Sequence, residues 1–152
     1  MTNPLEIRNL AKQRLKEAKI LYYNGMCDGA FYLAGYSVEL MLKAKICEKL
    51  GIPNLFDETN KDVNQIKGIG EIRKTLKTHN LFMLLIFSGL KLKFDNDKAS
   101  NYDLAKANSL LFNAWDETAR YKPCGYMLDN DVEKLLNLLS GNNGILTWIE
   151  EN

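Results

Sequence analysis

Apolar residues recur at helical spacing along most of the chain. In the first segment they form one stripe over residues 7–22, with charged residues on the opposite side. Asn3 is placed to cap this helix, and Pro4 suits its first position because a residue there needs no N–H donor. The pattern predicts a first helix that begins at Asn3 and ends at Asn24-Gly25.

The second predicted helix starts near Asp28 and runs to about Leu50, with Gly51 as its stop signal. Residues 30–36 are apolar almost all round, which is typical of a central helix covered on several sides. Gly35 within it costs about 1 kcal/mol of helix propensity relative to alanine. We therefore expect a neighbouring helix to approach the backbone closely there.

Three further helices are predicted after a long irregular segment. Residues 52–77 contain at most one or two short helical turns. Helices are predicted over residues 80–91 and 101–121, with a polar turn at residues 95–98 between them. The last helix starts near Asp129.

The continuity of the fifth helix is an open point in the sequence. Residues 140–144, Ser-Gly-Asn-Asn-Gly, are helix breakers, yet the apolar residues on either side keep one helical phase. We favour a bent continuous helix. The chain is thus predicted to be a single all-α domain over residues 1–152, an antiparallel up-and-down bundle of about five helices with the second most buried.

Composition narrows the class of function. The chain has 152 residues, 46% of them hydrophobic, and a formal net charge of +1, so it lacks the overall basic field of a nonspecific nucleic-acid binder. None of the predicted helices is basic enough for a DNA-recognition helix, and we expect no DNA partner. The longest apolar run, residues 81–87, is far shorter than the roughly 20 residues of a membrane span. With three scattered cysteines and no apparent signal peptide, we expect a soluble cytoplasmic protein with free thiols and no membrane partner.

The sequence lacks the residues that would bind several common metals and cofactors. His79 is the only histidine, whereas a di-iron bundle needs two Glu-x-x-His pairs. The cysteines are not clustered as a zinc site requires. The segment Gly68-Ile69-Gly70 lacks the setting of a dinucleotide-binding loop. We expect neither a metal nor a cofactor.

Two short segments carry candidate chemistry. The first spans residues 67–79, where four basic residues face one acidic residue and His79 closes the segment; the basic residues are Lys67, Arg73, Lys74 and Lys77. Such a patch is suited to contact phosphate. The alternative is a solvated loop in which lysines serve solubility and His79 caps the next helix.

The second segment is residues 119–123, at the predicted end of the fourth helix. Arg120 is a candidate fork for phosphate or carboxylate. Alternatively, it neutralises the helix end or pairs with Asp116 or Glu117. Tyr121 is predicted to pack in the core or at an interface.

Three motifs follow one another along the chain. In residues 30–44, small and aromatic residues lead into Val-Glu-Leu-x-x-Lys-Ala. Thr78-His79-Asn80-Leu81 comes next, and Arg120-Tyr121-Lys122-Pro123 follows. Together they resemble the signature helix, the opening of the next long helix and the Arg-Tyr-Pro ending of the HEPN (higher eukaryotes and prokaryotes nucleotide-binding) domains. The resemblance implies a dimeric helical bundle associated with nucleotide or RNA chemistry. It also implies a partner protein, a minimal nucleotidyltransferase, as in toxin–antitoxin pairs.

Catalytic members of that family are metal-independent RNases that use an arginine followed after four to six residues by a histidine. Arg73 and His79 are separated by five residues, but Lys74 follows the arginine where the RNases usually have asparagine. Arg120 has no downstream histidine. The sequence thus favours a non-catalytic nucleotide- or RNA-associated protein and leaves enzyme activity undecided. An RNase using Arg73 and His79, and a dimerisation scaffold without a nucleotide ligand, are the alternatives.

Aromatic residues also bear on the oligomeric state. More of them are present than one small core covers, so some are expected to face a second copy of the chain. These residues are Tyr22, Phe31, Tyr32, Tyr36, Trp115 and Tyr121. We therefore predict a homodimer.

Overall fold

The computed structural model describes residues 3–152, and within them every regular element is helical and no β-strand occurs. This confirms the predicted all-α class. The nine α-helices of this part of the chain are α1 (Pro4–Tyr23), α2 (Cys27–Leu50), α3 (Lys61–Asn64), α4 (Ile69–Leu76), α5 (Leu81–Phe87), α6 (Lys91–Lys98), α7 (Tyr102–Ala107), α8 (Asp129–Leu139) and α9 (Ile145–Glu151). A π-helical turn (Asn108–Phe112) continues α7, and a 3₁₀-helix spans Glu117–Tyr121.

Helices α1 and α2 form an antiparallel pair whose ends follow the sequence signals. The Asn3 side chain accepts a hydrogen bond from the Glu6 N–H at 3.0 Å, as the capping pattern predicts. Gly25 and Gly51 adopt φ angles of 76° and 67°, in the left-handed region where glycine is favoured, and they lie at the ends of α1 and α2. The predicted bounds of both helices are confirmed.

Helix α2 is the centre of the molecule. Nearly all of its residues from Ala30 to Cys47 are buried, and α1, α5, α8, α9 and the 3₁₀-helix all pack against it. The close approach expected at Gly35 is present, but it comes from the Trp115 indole ring rather than from the backbone of another helix. Buried apolar side chains from the whole described chain join in one cluster around this helix.

The predicted helix over residues 80–91 is shorter in the structure. It ends at Phe87, because Gly89 adopts a φ of 74° that a right-handed helix does not allow. The predicted polar turn at residues 95–98 is wrong, since these residues belong to α6. Ion pairs four residues apart and the buried ring of Phe94 account for this helix.

The predicted fourth helix, residues 101–121, is divided. After the π-helical turn the backbone extends at Asp116, whose carboxylate accepts from the Thr118 N–H at 2.7 Å and starts the 3₁₀-helix. This break lets Trp115 turn inward against α2.

The prediction of a bent continuous fifth helix is also wrong. Helix α8 ends at Leu139, Ser140 is extended, and Gly141 adopts a φ of 81° before α9 begins. The sequence breakers therefore outweigh the shared apolar phase. No helix in residues 3–152 has the length and apolar character needed to cross a membrane.

Candidate functional site

One face of α2 carries polar groups although the helix is otherwise buried. Tyr32, Tyr36, Glu39 and Lys43 follow one another at spacings of four, three and four, so they lie on one side of the helix. We call these four residues the α2 polar face. The rings of Tyr32 and Tyr36 stack with centroids 6.4 Å apart and an interplanar angle of 15°. Both side chains are only partly buried, so the half of the α2 polar face nearer the start of α2 is aromatic and reaches solvent.

In the other half of the α2 polar face, Glu39 contacts both Lys43 and His79. Its side chain is 1% exposed, and its carboxylate accepts from Lys43 Nζ at 2.7 Å. The same carboxylate lies 3.0 Å from Nδ1 of His79. A buried carboxylate facing Nδ1 orients the imidazole and leaves Nε2 as the ring nitrogen for other partners. Because the His79 side chain is 45% exposed, it can meet a ligand.

His79 does not cap the helix that follows it. That role belongs to Asn80, whose side chain accepts from the Met83 N–H at 3.0 Å. The structural role of His79 is therefore its contact with Glu39 and not helix capping. The sequence did not indicate this contact.

Arg120 is exposed on the 3₁₀-helix at the other end of the α2 polar face. Its guanidinium carbon lies 4.9 Å from the centre of the Tyr121 ring, a cation–π contact. Its pKa is raised, chiefly by a hydrogen bond with the Tyr32 side chain and then by one with Tyr121. Within the described chain its guanidinium pairs with neither Asp116 nor Glu117, which were the expected structural partners. The Tyr121 side chain is 75% exposed, so it does not pack in the core of one chain.

Arg73 has a structural setting. It is buried, its Nε donates to the Leu55 carbonyl at 2.6 Å, and one terminal nitrogen donates to Asn64 Oδ1 at 3.0 Å. These two hydrogen bonds hold α4 against the chain segment that precedes it, which contains Leu55 and Asn64. The sequence predicts Arg73 as part of a basic patch that contacts phosphate, and the structure shows a guanidinium with two internal partners.

Two of the other basic residues of the first segment, Lys74 and Lys77, lie beside Arg73. Lys74 and Lys77 line a cleft of about 290 Å³ together with Arg73, Gly70 and Glu58. Lys77 forms an ion pair with Glu58, which neutralises part of the patch. His79 and Arg120 are not part of this cleft's lining.

The structure thus separates the predicted site residues into two groups. Arg73, Lys74 and Lys77 share one cleft, whereas His79 and Arg120 lie along α2, the first beside Glu39 and the second beside Tyr32. At 1.5 Å per helical residue, residues 32 and 39 are separated by about 10 Å along the axis. Tyr32, Tyr36 and Glu39 are not among the predicted site residues, although polar residues at helical spacing on an apolar helix are a usable signal.

Comparison of the chain with family models, with curated proteins and with solved structures finds no match. In residues 3–152 no group of three or more His, Cys, Asp or Glu side chains is arranged to hold a metal ion.

A larger apolar cleft lies away from the α2 polar face. It measures about 430 Å³ and is bounded by the end of α2, one side of α4 and Phe87. None of the predicted site residues lines it, and among the described residues Glu71 is its only charged lining residue.

Proposed function

We propose that this chain is a non-catalytic, nucleotide- or RNA-associated helical protein that binds phosphate at the α2 polar face. The observation that carries the proposal is Arg120, an exposed guanidinium beside the ring of Tyr121 and the side chain of Tyr32, with no carboxylate partner in residues 3–152. Guanidinium groups bind phosphate oxygens through paired N–H donors, and tyrosine rings stack on nucleobases.

His79 supplies the second polar group of the proposed site. With Nδ1 held by Glu39, its Nε2 is free to donate to or accept from a ligand. The aromatic pair Tyr32 and Tyr36 lies between His79 and Arg120 on α2. A nucleotide with its phosphate at Arg120 and its base or ribose along this face fits the spacing of about 10 Å.

The non-catalytic part of the proposal rests on the environment of Arg73. Its guanidinium donates to Leu55 and Asn64, and it lies in the cleft with Lys74 and Lys77 rather than beside His79. An RNase that pairs Arg73 with His79 needs that guanidinium to be released. Lys74 and Lys77 therefore contribute only positive electrostatic potential to this proposal.

The HEPN resemblance extends this proposal to architecture and partners. We propose a five-helix antiparallel bundle formed by α1, α2, α5, α7 with its π-helical turn, and α8 with α9. The short turn between α1 and α2, which makes them antiparallel neighbours, supports it. A minimal nucleotidyltransferase is the proposed partner protein, and its gene is expected beside this one.

Homodimerisation is part of the same proposal and has its own test. Tyr121, Tyr102 and Tyr23 are strongly exposed, and aromatic side chains are enriched at interfaces. Light scattering at micromolar concentration is expected to give about twice the chain mass of 17.4 kDa. A single species of the monomer mass would contradict the dimer without bearing on phosphate binding.

The binding site is tested by titrating a fluorescent nucleotide and a short labelled RNA into the protein. Loss of a charge-assisted hydrogen bond costs about 1.5 kcal/mol or more, so Arg120→Ala should weaken binding at least about tenfold. His79→Ala should weaken it by a smaller factor. Arg8→Ala is the matched control, because Arg8 pairs with Glu48 and Glu150 elsewhere on the molecule.

Each outcome separates the three candidate functions. Equal binding by all variants would remove the proposed site at Arg120 and His79, and no binding by the wild type would leave a dimerisation scaffold. Cleavage of RNA in a chelator-containing buffer that His79→Ala abolishes would favour the RNase, as would growth arrest on expression.

A further inference from the structure

Two of the three cysteines share one cleft. Cys27 is the first residue of α2, and Cys124 lies in the irregular segment after the 3₁₀-helix. Both line a cleft of about 450 Å³ that also includes Asp28 and Asp129. Cys47 is buried in the core, away from this cleft. The chain therefore brings together two thiols that are almost a hundred residues apart in sequence.

Hydrogen bonds between neighbouring residues hold the two thiol-bearing segments together. The Asp28 carboxylate accepts from the Gly125 N–H at 2.6 Å and from the Met127 N–H at 2.9 Å. Asp28 follows Cys27, and Gly125 follows Cys124. The Cα atom of each cysteine therefore lies about 3.8 Å from the Cα atom of a residue that forms this hydrogen bond. Residues 122–128 contain no regular helix, which allows the small backbone shift that a disulfide requires.

The two thiols differ in access. Cys124 is exposed, whereas Cys27 is partly buried and its Sγ donates to an Asp129 oxygen at 3.6 Å. Burial, followed by the Asp129 hydrogen bond, raises the pKa of Cys27. A dissolved oxidant therefore meets Cys124 first, while Cys27 keeps its proton and is placed to react second.

We propose that Cys27 and Cys124 form a hydroperoxide-responsive thiol pair that closes to a disulfide. In the first step Cys124 sulfur attacks the peroxide O–O bond, becomes a sulfenic acid and releases water or the corresponding alcohol. In the second step Cys27 sulfur attacks the sulfenic sulfur and loses its proton, and the departing hydroxide takes that proton to form water. Two thiols lose two electrons, and one peroxide gains them.

The disulfide would act next to the proposed phosphate site. It would bond the start of α2 to the segment that begins one residue after Tyr121, and so restrict the chain next to Arg120. The thiol chemistry itself does not depend on the proposed function, and its test uses no nucleotide.

The experiment treats the reduced full-length protein with stoichiometric hydrogen peroxide, then alkylates it and measures intact mass and disulfide-linked peptides. We expect one intramolecular bond between Cys27 and Cys124, which dithiothreitol reverses, with Cys47 alkylated after unfolding. Cys47→Ala is the matched control and should form the same bond.

The single variants separate the two roles. Cys27→Ser should leave a Cys124 sulfenic acid that dimedone traps, and Cys124→Ser should give no disulfide. A disulfide-linked dimer through Cys124, oxidation of Cys124 to a sulfinic acid with Cys27 still reduced, or a bond to Cys47 would each overturn the proposal.

Discussion

Replacing Gly35 by alanine tests the packing at the centre of the molecule. A Cβ atom built on Gly35 would lie 2.2 Å from Nε1 of Trp115 and 2.3 Å from Cδ1 and Cε2 of the same ring. The indole is 5% exposed, and its Nε1 donates to the Tyr32 carbonyl at 3.2 Å. The ring therefore cannot keep its place or its hydrogen bond beside an alanine.

The expected cost can be worked out from opposing terms. Alanine gains about 1 kcal/mol of helix propensity over glycine. Comfortable carbon contacts need about 3.5 Å or more, so the ring must move by over about 1 Å. Overpacking of this kind costs about 1 to 3 kcal/mol, and the lost indole hydrogen bond adds about 1 kcal/mol. The free energy of unfolding should fall by about 1 to 3 kcal/mol.

Urea unfolding followed by circular dichroism measures this difference. Gly70→Ala is the matched control, since Gly70 also lies within a helix but a Cβ atom added to it would have no neighbouring atom within 4 Å. That variant should be neutral or more stable by up to about 1 kcal/mol.

A double-mutant cycle identifies the group responsible. In a Trp115→Ala background the cost of Gly35→Ala should disappear, because the clashing ring is gone. A Gly35→Ala protein as stable as the wild type would refute the packing described here. An unchanged cost in the Trp115→Ala background would show that another neighbour is responsible.

Two further predictions concern charged groups. The pKa of Asp97 is lowered, first by the hydrogen bond from the Trp148 indole and then by one with Lys93. The ionised Asp97 carboxylate therefore stabilises the fold above about pH 4, and this stabilisation is lost as the pH falls through the lowered pKa. The difference in unfolding free energy between wild type and Asp97→Asn should therefore shrink between about pH 6 and about pH 3 in urea titrations, and a constant difference would contradict this assignment. Glu39→Gln should cost about 3 to 5 kcal/mol in the same assay, because it leaves the buried ammonium of Lys43 without its anionic partner, and a cost below about 1 kcal/mol would argue against a buried pair.

Local chemistry in the sequence was sufficient for the all-helical class and for the first two helices. Asn3 and Pro4 start α1, and Gly51 ends α2, through contacts that lie within four or five residues along the chain. The apolar residues on every side of α2 likewise required a central position. These features follow from the sequence because the groups that interact are neighbours in it.

Helical periodicity did not reveal where the later helices are interrupted. The segment around Trp115 has helical spacing, but the helix is interrupted there and the indole is buried against Gly35. Between α8 and α9, the shared apolar phase reflects burial against the same core rather than a continuous backbone. Periodicity records which residues are buried, and it does not record whether the chain is continuous between them.

The partners of the polar residues were decided by tertiary structure alone. Arg73 and Arg120 are the same residue type in short polar segments, yet one donates to the distant Leu55 carbonyl and the other lies exposed beside Tyr32. His79 finds its carboxylate in Glu39, forty residues earlier in the chain. Sequence spacing predicts partners only within a helix turn or two, so which arginine is buried and which is exposed is determined when the helices pack.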